Sequence, residues 1–368
     1  MKYPFKNLVF EGGGVKGIAY IGAMEVLEKK GILKNIRRVG GASAGAINAL
    51  LFGLGYDNAE TKEILWKLNF NAFEDGSGLL LNAYRLFSKF GWYQGNFFKK
   101  WIGGLIEKKT GDRGSTFGDL SRLKEARGFR EISMIGTNLS TRFSEVYSAE
   151  LTPNMKLVDA VRISMSIPLF FRAVRDARKD VLVDGGVLEN YPVKLFDREK
   201  YIDPADVKTN SQPVPYYDET NKALEVGESS FVYNKETLGF RLDSKEEIQT
   251  YRDRRPPQSH PIRGFVEYAQ GLIGTLLEAQ ASQHLHSDDW QRTIYIDTLG
   301  VRTTQFDLDD ATKKRLVESG KKNTEEYFKW YDNPKNKPAN RVSPGRGTAV
   351  QKRNDAGSKG RAGVRRGR

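Results

Sequence analysis

Leu8-Val9-Phe10 is a short apolar run bounded by polar residues on one side and by Glu11 and three glycines on the other, the pattern of a buried strand. Ile18, Ile21, Met24 and Leu27 then recur at helical spacing, with Lys29 and Lys30 in the last turn and Gly31 as a stop. Ile36 to Val39 predicts a second strand ending at Gly40-Gly41, and Ala44, Ile47, Leu51 and Leu54 predict a second helix. Strand, helix, strand, helix with short connections predicts a mostly parallel sheet covered by helices.

Residues 60–128 interrupt this alternation with a mostly helical, aromatic-rich insertion. Within it Phe97, Phe98, Trp101, Ile102, Leu105 and Ile106 form a broad apolar stripe, suited to core packing or to the wall of an acyl-chain groove. Strands are expected again near Arg130–Asn138, Ser144–Ser148 and Val181–Val183, with a short helix over Met155–Ser164. Residues 197–234 are polar and proline-bearing and read as an irregular insertion. Leu238–Leu242 and Ile294–Ile296 predict late strands, Phe265–His284 an apolar helix, and Lys313–Trp330 a final amphipathic one. The expected organisation is one α/β domain over residues 1–333 and a tail over 334–368.

Charge changes the picture only at that tail. The chain carries a net charge of +13, of which residues 335–368 supply +10, from eleven Lys/Arg against Asp355. The tail has no aromatic residue, so it is expected to be disordered and could adhere to anionic lipid. No specific nucleic-acid binding is expected from the nearly neutral body. The chain has no cysteine and only three histidines, His260, His284 and His286, which removes disulfides and thiolate nucleophiles. No apolar run is long enough to span a bilayer, and the first ten residues lack a signal-peptide core. The expectation is a cytoplasmic protein, peripheral at membranes, or one exported without a cleaved signal.

Two glycine-bearing turns carry the chemistry. In Gly41-Ala42-Ser43-Ala44-Gly45, small residues allow the tight strand-to-helix turn that would expose Ser43 as a nucleophile, with Gly41 and Gly45 flanking the elbow. In Gly12-Gly13-Gly14-Val15-Lys16-Gly17, successive backbone N–H groups form an anion-accepting concavity. A Walker loop would need Ser/Thr after its lysine, but this run ends Gly17-Ile18-Ala19. A dinucleotide fingerprint would need an acid at the end of the second strand, where this chain has the serine turn. An oxyanion hole explains both turns together. The base for Ser43 stays open at this level: a triad of Asp184 with His284 or His286, or direct contact with Asp184, which closes an apolar strand before Gly185-Gly186. A non-catalytic lipid- or nucleotide-binding module on the same fold is the remaining alternative.

The glycine run with Lys16, the serine turn and Asp184-Gly185-Gly186 together resemble the patatin-like phospholipases, as do Ser164-Met165-Ser166-Ile167-Pro168-Leu169-Phe170 and Asn190-Tyr191-Pro192-Val193. The resemblance covers about residues 5–330. It implies a three-layer α/β/α fold and a Ser43–Asp184 dyad working without cofactor, metal or histidine. It also implies an oxyanion hole of backbone N–H groups from Gly12, Gly13, Gly14, Val15, Lys16 and Gly17. The implied reaction is hydrolysis of acyl esters in phospholipids or lysophospholipids, with transient contact at a membrane surface. Lys16 could favour an anionic headgroup.

Overall fold

The computed structural model describes residues 3–68, 86, 88–244 and 288–342, with isolated residues between 261 and 275. In chain order the strands are β1 (Asn7–Phe10), β2 (Arg38–Ala42), β3 (Gly91–Tyr93), β4 (Glu131–Asn138), β5 (Phe143–Ser148), β6 (Leu169–Phe171), β7 (Val174–Arg175), β8 (Val181–Asp184), β9 (Ser211–Gln212), β10 (Tyr233–Asn234), β11 (Thr237–Asp243) and β12 (Thr293–Asp297). The principal helices are α1 (Ala19–Lys29), α2 (Ala44–Gly53), α3 (Asn58–Lys67), α4 (Asn96–Thr110), α5 (Phe117–Arg127), α6 (Leu157–Ser164), the short α7 (Gly186–Glu189) and α8 (Asp310–Asp332).

Five strands, β12-β11-β1-β2-β4, run parallel across the central sheet. Alternation sorts their side chains. Leu8 and Phe10 of β1, with Val39, Leu238, Phe240, Ile294 and Ile296, point into the main core, which α1, α2 and α8 complete. Val9 points the other way, between the glycines Gly40 and Gly239 of the neighbouring strands. Tyr191, Val193 and Phe196 fill that second face. A Cβ on Gly239 would lie 1.8 Å from the Tyr191 hydroxyl, so the covering segment 190–201 sits directly on the strand backbone.

The patterned elements fall where hydrophobic spacing predicts them, and the differences lie in short elements. β2 begins two residues later than predicted and runs through Gly40-Gly41-Ala42, because strand pairing there depends on backbone hydrogen bonds and not on side chains. β6 and β7 are too short to display a period. The apolar stripe of α4 divides between the core and a surface groove. Phe98, Ile102 and Ile106 are buried, while Phe97, Trp101 and Leu105 line a groove of about 390 Å³ against Ile64 and Leu68. None of Ser43, Asp184 or the glycine turn borders this groove.

The polar stretch 197–234 holds short helical turns and the small β9–β10 ladder. Of the tail expected from 334, the first residues pack on the body: Asn340 is buried, and its carbonyl accepts from the Tyr331 hydroxyl at 3.1 Å. Residues 343–368, the three histidines and most of the helix expected over Phe265–His284 lie outside the described residues.

Candidate active site

The pairing of β4 explains how two residues 141 positions apart come together. One edge of β4, from Ser133 to Asn138, is taken by β5. The opposite edge is shared. β2 pairs with Glu131–Ile135 and ends at Ala42, opposite Ile135. β8 comes from the other direction, antiparallel, and ends at Asp184, opposite Gly136. Ser43, the first residue past β2, therefore meets Asp184 head to head along a single strand edge. The serine and glycine turns leave adjacent parallel strands, as the sequence predicts. Asp184 instead arrives on an antiparallel strand, which no local pattern encodes.

Ser43 has φ 53° and ψ −125°, a conformation that a residue with a Cβ rarely adopts. The turn is held from several sides. The Ser43 N–H donates to Ser164 Oγ at 3.0 Å, and its carbonyl accepts from Ala46 at the start of α2. Gly12 packs against Ser43 so closely that a Cβ there would lie 2.9 Å from the serine Cβ. Ser43 is only 4% exposed, and its hydroxyl donates to Met165 Sδ at 3.6 Å.

Asp184 is equally buried. Its N–H donates to the Ser166 carbonyl, and Oδ1 accepts from the Gly186 N–H at 2.7 Å. The stretch Ser164–Ser166 thus braces both residues of the pair, one through a hydroxyl and one through a carbonyl. Oδ2 is buried and accepts no hydrogen bond among the described residues. Burial pushes the carboxyl up to about 7, against the Gly186 N–H and the Ser43 hydroxyl, which pull it down. The serine is close enough to act on the carboxyl, yet its hydrogen bond is directed at Met165. The pair is assembled, with the hydroxyl aligned elsewhere.

The glycine turn is more selective than its sequence. Gly12 donates its N–H to the Asn190 carbonyl, Val15 to Thr303 and Lys16 to Gly13. Gly17 lies inside the 3-10 turn Gly14–Ile18. The Gly13 and Gly14 N–H groups have no acceptor among the described residues. Gly14 has φ +55°, which glycine adopts without strain, and Thr303 backbone closes over it. The Lys16 ammonium donates to the Leu242 carbonyl at 3.3 Å, tying it to the end of β11.

Beneath this turn lies a cluster that sequence reading missed. Glu11 is buried, accepts the Leu242 N–H at 2.6 Å and lies 3.6 Å from the Arg241 guanidinium, which also holds Asp243 at 2.7 Å. Burial pushes the Glu11 carboxyl up, while Arg241 and the Leu242 N–H oppose the shift. Asn190 donates through Nδ2 to the Gly12 carbonyl at 3.2 Å, so it clamps Gly12 on both sides. A charged residue inside the apolar pattern of β11, Arg241, was the available signal.

Known proteins can be set beside this geometry. A family model described as Patatin-like phospholipase matches residues 8–197, which span β1, the glycine turn, Ser43, Asp184 and Asn190. The chain belongs to the patatin-like phospholipase family. It is 31% identical to the uncharacterized protein YqhO of Bacillus subtilis, over 87% of this chain and 97% of that protein. It is 27% identical to the probable lipid hydrolase 463L of Invertebrate iridescent virus 6, over 52% of this chain and 63% of that protein. Its fold is similar to that of VipD from Legionella pneumophila, with a TM-score of 0.57 and 19% identity over 89% of this chain and 67% of that one.

For this patatin-like protein the two stretches expected to accompany the serine and aspartate have structural work to do. Ser164–Ser166 braces the pair, and Asn190-Tyr191 holds Gly12 and covers Val9. No helix among the described residues is long and apolar enough to cross a membrane.

Proposed function

We propose that this patatin-like protein is a lipid acyl hydrolase of phospholipase A or lysophospholipase type, with Ser43 as nucleophile and Asp184 as its base. The observation that carries the reading is the meeting of Ser43 and Asp184 on one edge of β4, with the carboxylate Oδ2 buried and unpartnered among the described residues.

Once the Ser43 hydroxyl turns from Met165 to Oδ2, its oxygen attacks the ester carbonyl carbon while Asp184 takes the proton. The carbonyl oxygen becomes an oxyanion, to which the Gly13 and Gly14 N–H groups donate. Collapse of the tetrahedral intermediate breaks the bond to the alcohol, which leaves with the proton from Asp184. Water then attacks the acyl-serine, giving its proton to Asp184, and the carboxylic acid departs as Ser43 regains its hydrogen. A carboxyl near 7 suits both halves, because it is basic enough to take a proton and acidic enough to return it. The Gly12, Val15 and Lys16 N–H groups, already donated elsewhere, support the turn in this reading.

A fluorophosphonate probe tests the nucleophile. Wild type should be labelled and Ser43→Ala spared, and Asp184→Asn should lower turnover of a lipid ester by about 10²–10⁴-fold. Mass spectrometry of the products from a mixed lipid extract identifies the acyl position and headgroup. Labelling of a folded Ser43→Ala protein at the wild-type rate would overturn the assignment.

A further inference from the structure

Beyond Gly136 the edge that carries Ser43 and Asp184 continues to a ledge. β4 runs two residues further and turns through 139–142 into β5, so the tip starts about 10 Å past the level of the pair. The β7–β8 turn, 176–180, lies beside it. The Leu139 N–H donates to the Val181 carbonyl, the Val181 N–H to Ser140 Oγ at 3.0 Å, and Asn138 Nδ2 to Asp180 at 3.1 Å. The two tips therefore form one surface on the carboxyl rim of the sheet.

That surface is apolar at its points and cationic around them. Phe143 is 72% exposed and Leu139 45% exposed. Leu188, also exposed, follows Asp184 on α7, and its neighbour Glu189 lies near Ser144, next to Phe143. Arg142 and Lys179, one on each tip, are exposed, and neither side chain has an acid partner among the described residues. The acids nearby are engaged: Asp176 and Asp180 with Arg178, and Glu145 with Asn138 and the Tyr147 hydroxyl.

Arg142 and Lys179 also share a backbone peculiarity, φ 67° and 68°, in the left-handed region that glycine occupies freely. Each tip thus keeps a long cationic side chain where the backbone alone would favour glycine. The strain and the exposure are independent observations, and both assign value to the side chain at the tip.

We propose that the paired tips dock on an anionic phospholipid surface, with Phe143 and Leu139 entering the interface and Arg142 and Lys179 meeting phosphates. This rests on the lipid-hydrolase reading for its purpose, since it would present the Ser43 rim to the lipid. Apolar points ringed by cations fit a headgroup boundary, whereas a protein partner would need complementary contacts that two narrow tips do not extend to make.

The chain has no cysteine, so Phe143→Cys can carry a single environment-sensitive fluorophore on the full-length protein. The control is Leu151→Cys, an exposed position past the opposite end of β5. On vesicles of phosphatidylcholine with phosphatidylserine, the label at 143 should shift to the blue and become shielded from iodide, while the label at 151 stays wet. Arg142→Gly with Lys179→Gly suits both backbone angles and should weaken partition about 30-fold. Hydrolysis of a soluble short-chain ester should be unchanged in that variant. Bound protein with a wet label at 143 would overturn the proposal by assigning binding to another surface, such as the basic tail. Wild-type partition by the double variant, or no vesicle binding by wild type, would overturn it equally. Absence of Ser43-dependent ester hydrolysis would instead strike the enzymatic reading, and the vesicle result would stand by itself.

Discussion

Deprotonated Asp184 is the form that can take the Ser43 proton, and burial holds this carboxyl at about 7. The proposed chemistry should therefore gain rate as pH rises through about 7, read as a single basic limb in kcat/KM for a soluble ester. Stability should move the other way. The unfolded carboxyl titrates near its ordinary value of 3.8, so between that pH and about 7 the folded state binds the extra proton. Its contribution is fully present at low pH and is lost as pH rises through the folded value. Asp184→Asn removes the burial cost of the charge. The variant should be inactive yet more stable than wild type at pH 8, by at most about 4 kcal/mol, with the gap closing below pH 5. Denaturant midpoints at the two pH values check this. An Asp184→Asn protein equally stabilised at both would mean that the carboxyl is not the titrating group.

The glycine turn depends on the elements packed beside it. Glu11 closes β1, binds the Leu242 N–H of β11 and faces Arg241, and Asn190 after α7 holds Gly12 on both sides. Glu11→Ala would strand the buried Leu242 N–H and take one carboxylate from Arg241, at a cost of about 3–5 kcal/mol. If the network also aims the Gly13 and Gly14 donors, the milder Glu11→Gln should lower kcat more than it raises KM. An effect on KM alone would assign the network to stability only. At this scale the long patterned elements were legible: β1, α1, α2, β4, β11 and α8 follow from apolar period. β6 and β7 were not, since two or three residues carry no period and exist through the strands beside them.

Across the molecule, the polar insertion is anchored by one buried cation. Arg292, just before β12, holds Asp197 through both terminal nitrogens, at 2.6 and 2.7 Å, and Asp289 at 2.6 Å, while Tyr217 donates to Asp197. All three charges are buried. Arg292→Met should cost about 3–5 kcal/mol by taking the guanidinium from two buried carboxylates, a loss visible in the denaturant midpoint. His260, His284 and His286 bear on the alternative base. Their joint replacement by Ala should leave a folded protein with wild-type ester hydrolysis. Loss of activity with fold retained would restore a histidine-dependent mechanism.

What the chain determined by itself is the set of local parts. Apolar spacing specifies the strands and helices, and the small residues around Ser43, the glycine run and Asp184-Gly185-Gly186 mark the groups proposed to bear chemistry, because turn geometry and period are local properties of the chain. Tertiary structure decided how those groups meet. Only the shared edge of β4 brings Ser43 and Asp184 head to head, and contacts from Asn190 and Thr303 help leave Gly13 and Gly14 as donors without an acceptor among the described residues. Pairing across β4 and burial of a carboxyl depend on residues distant in sequence, and no period along the chain records them.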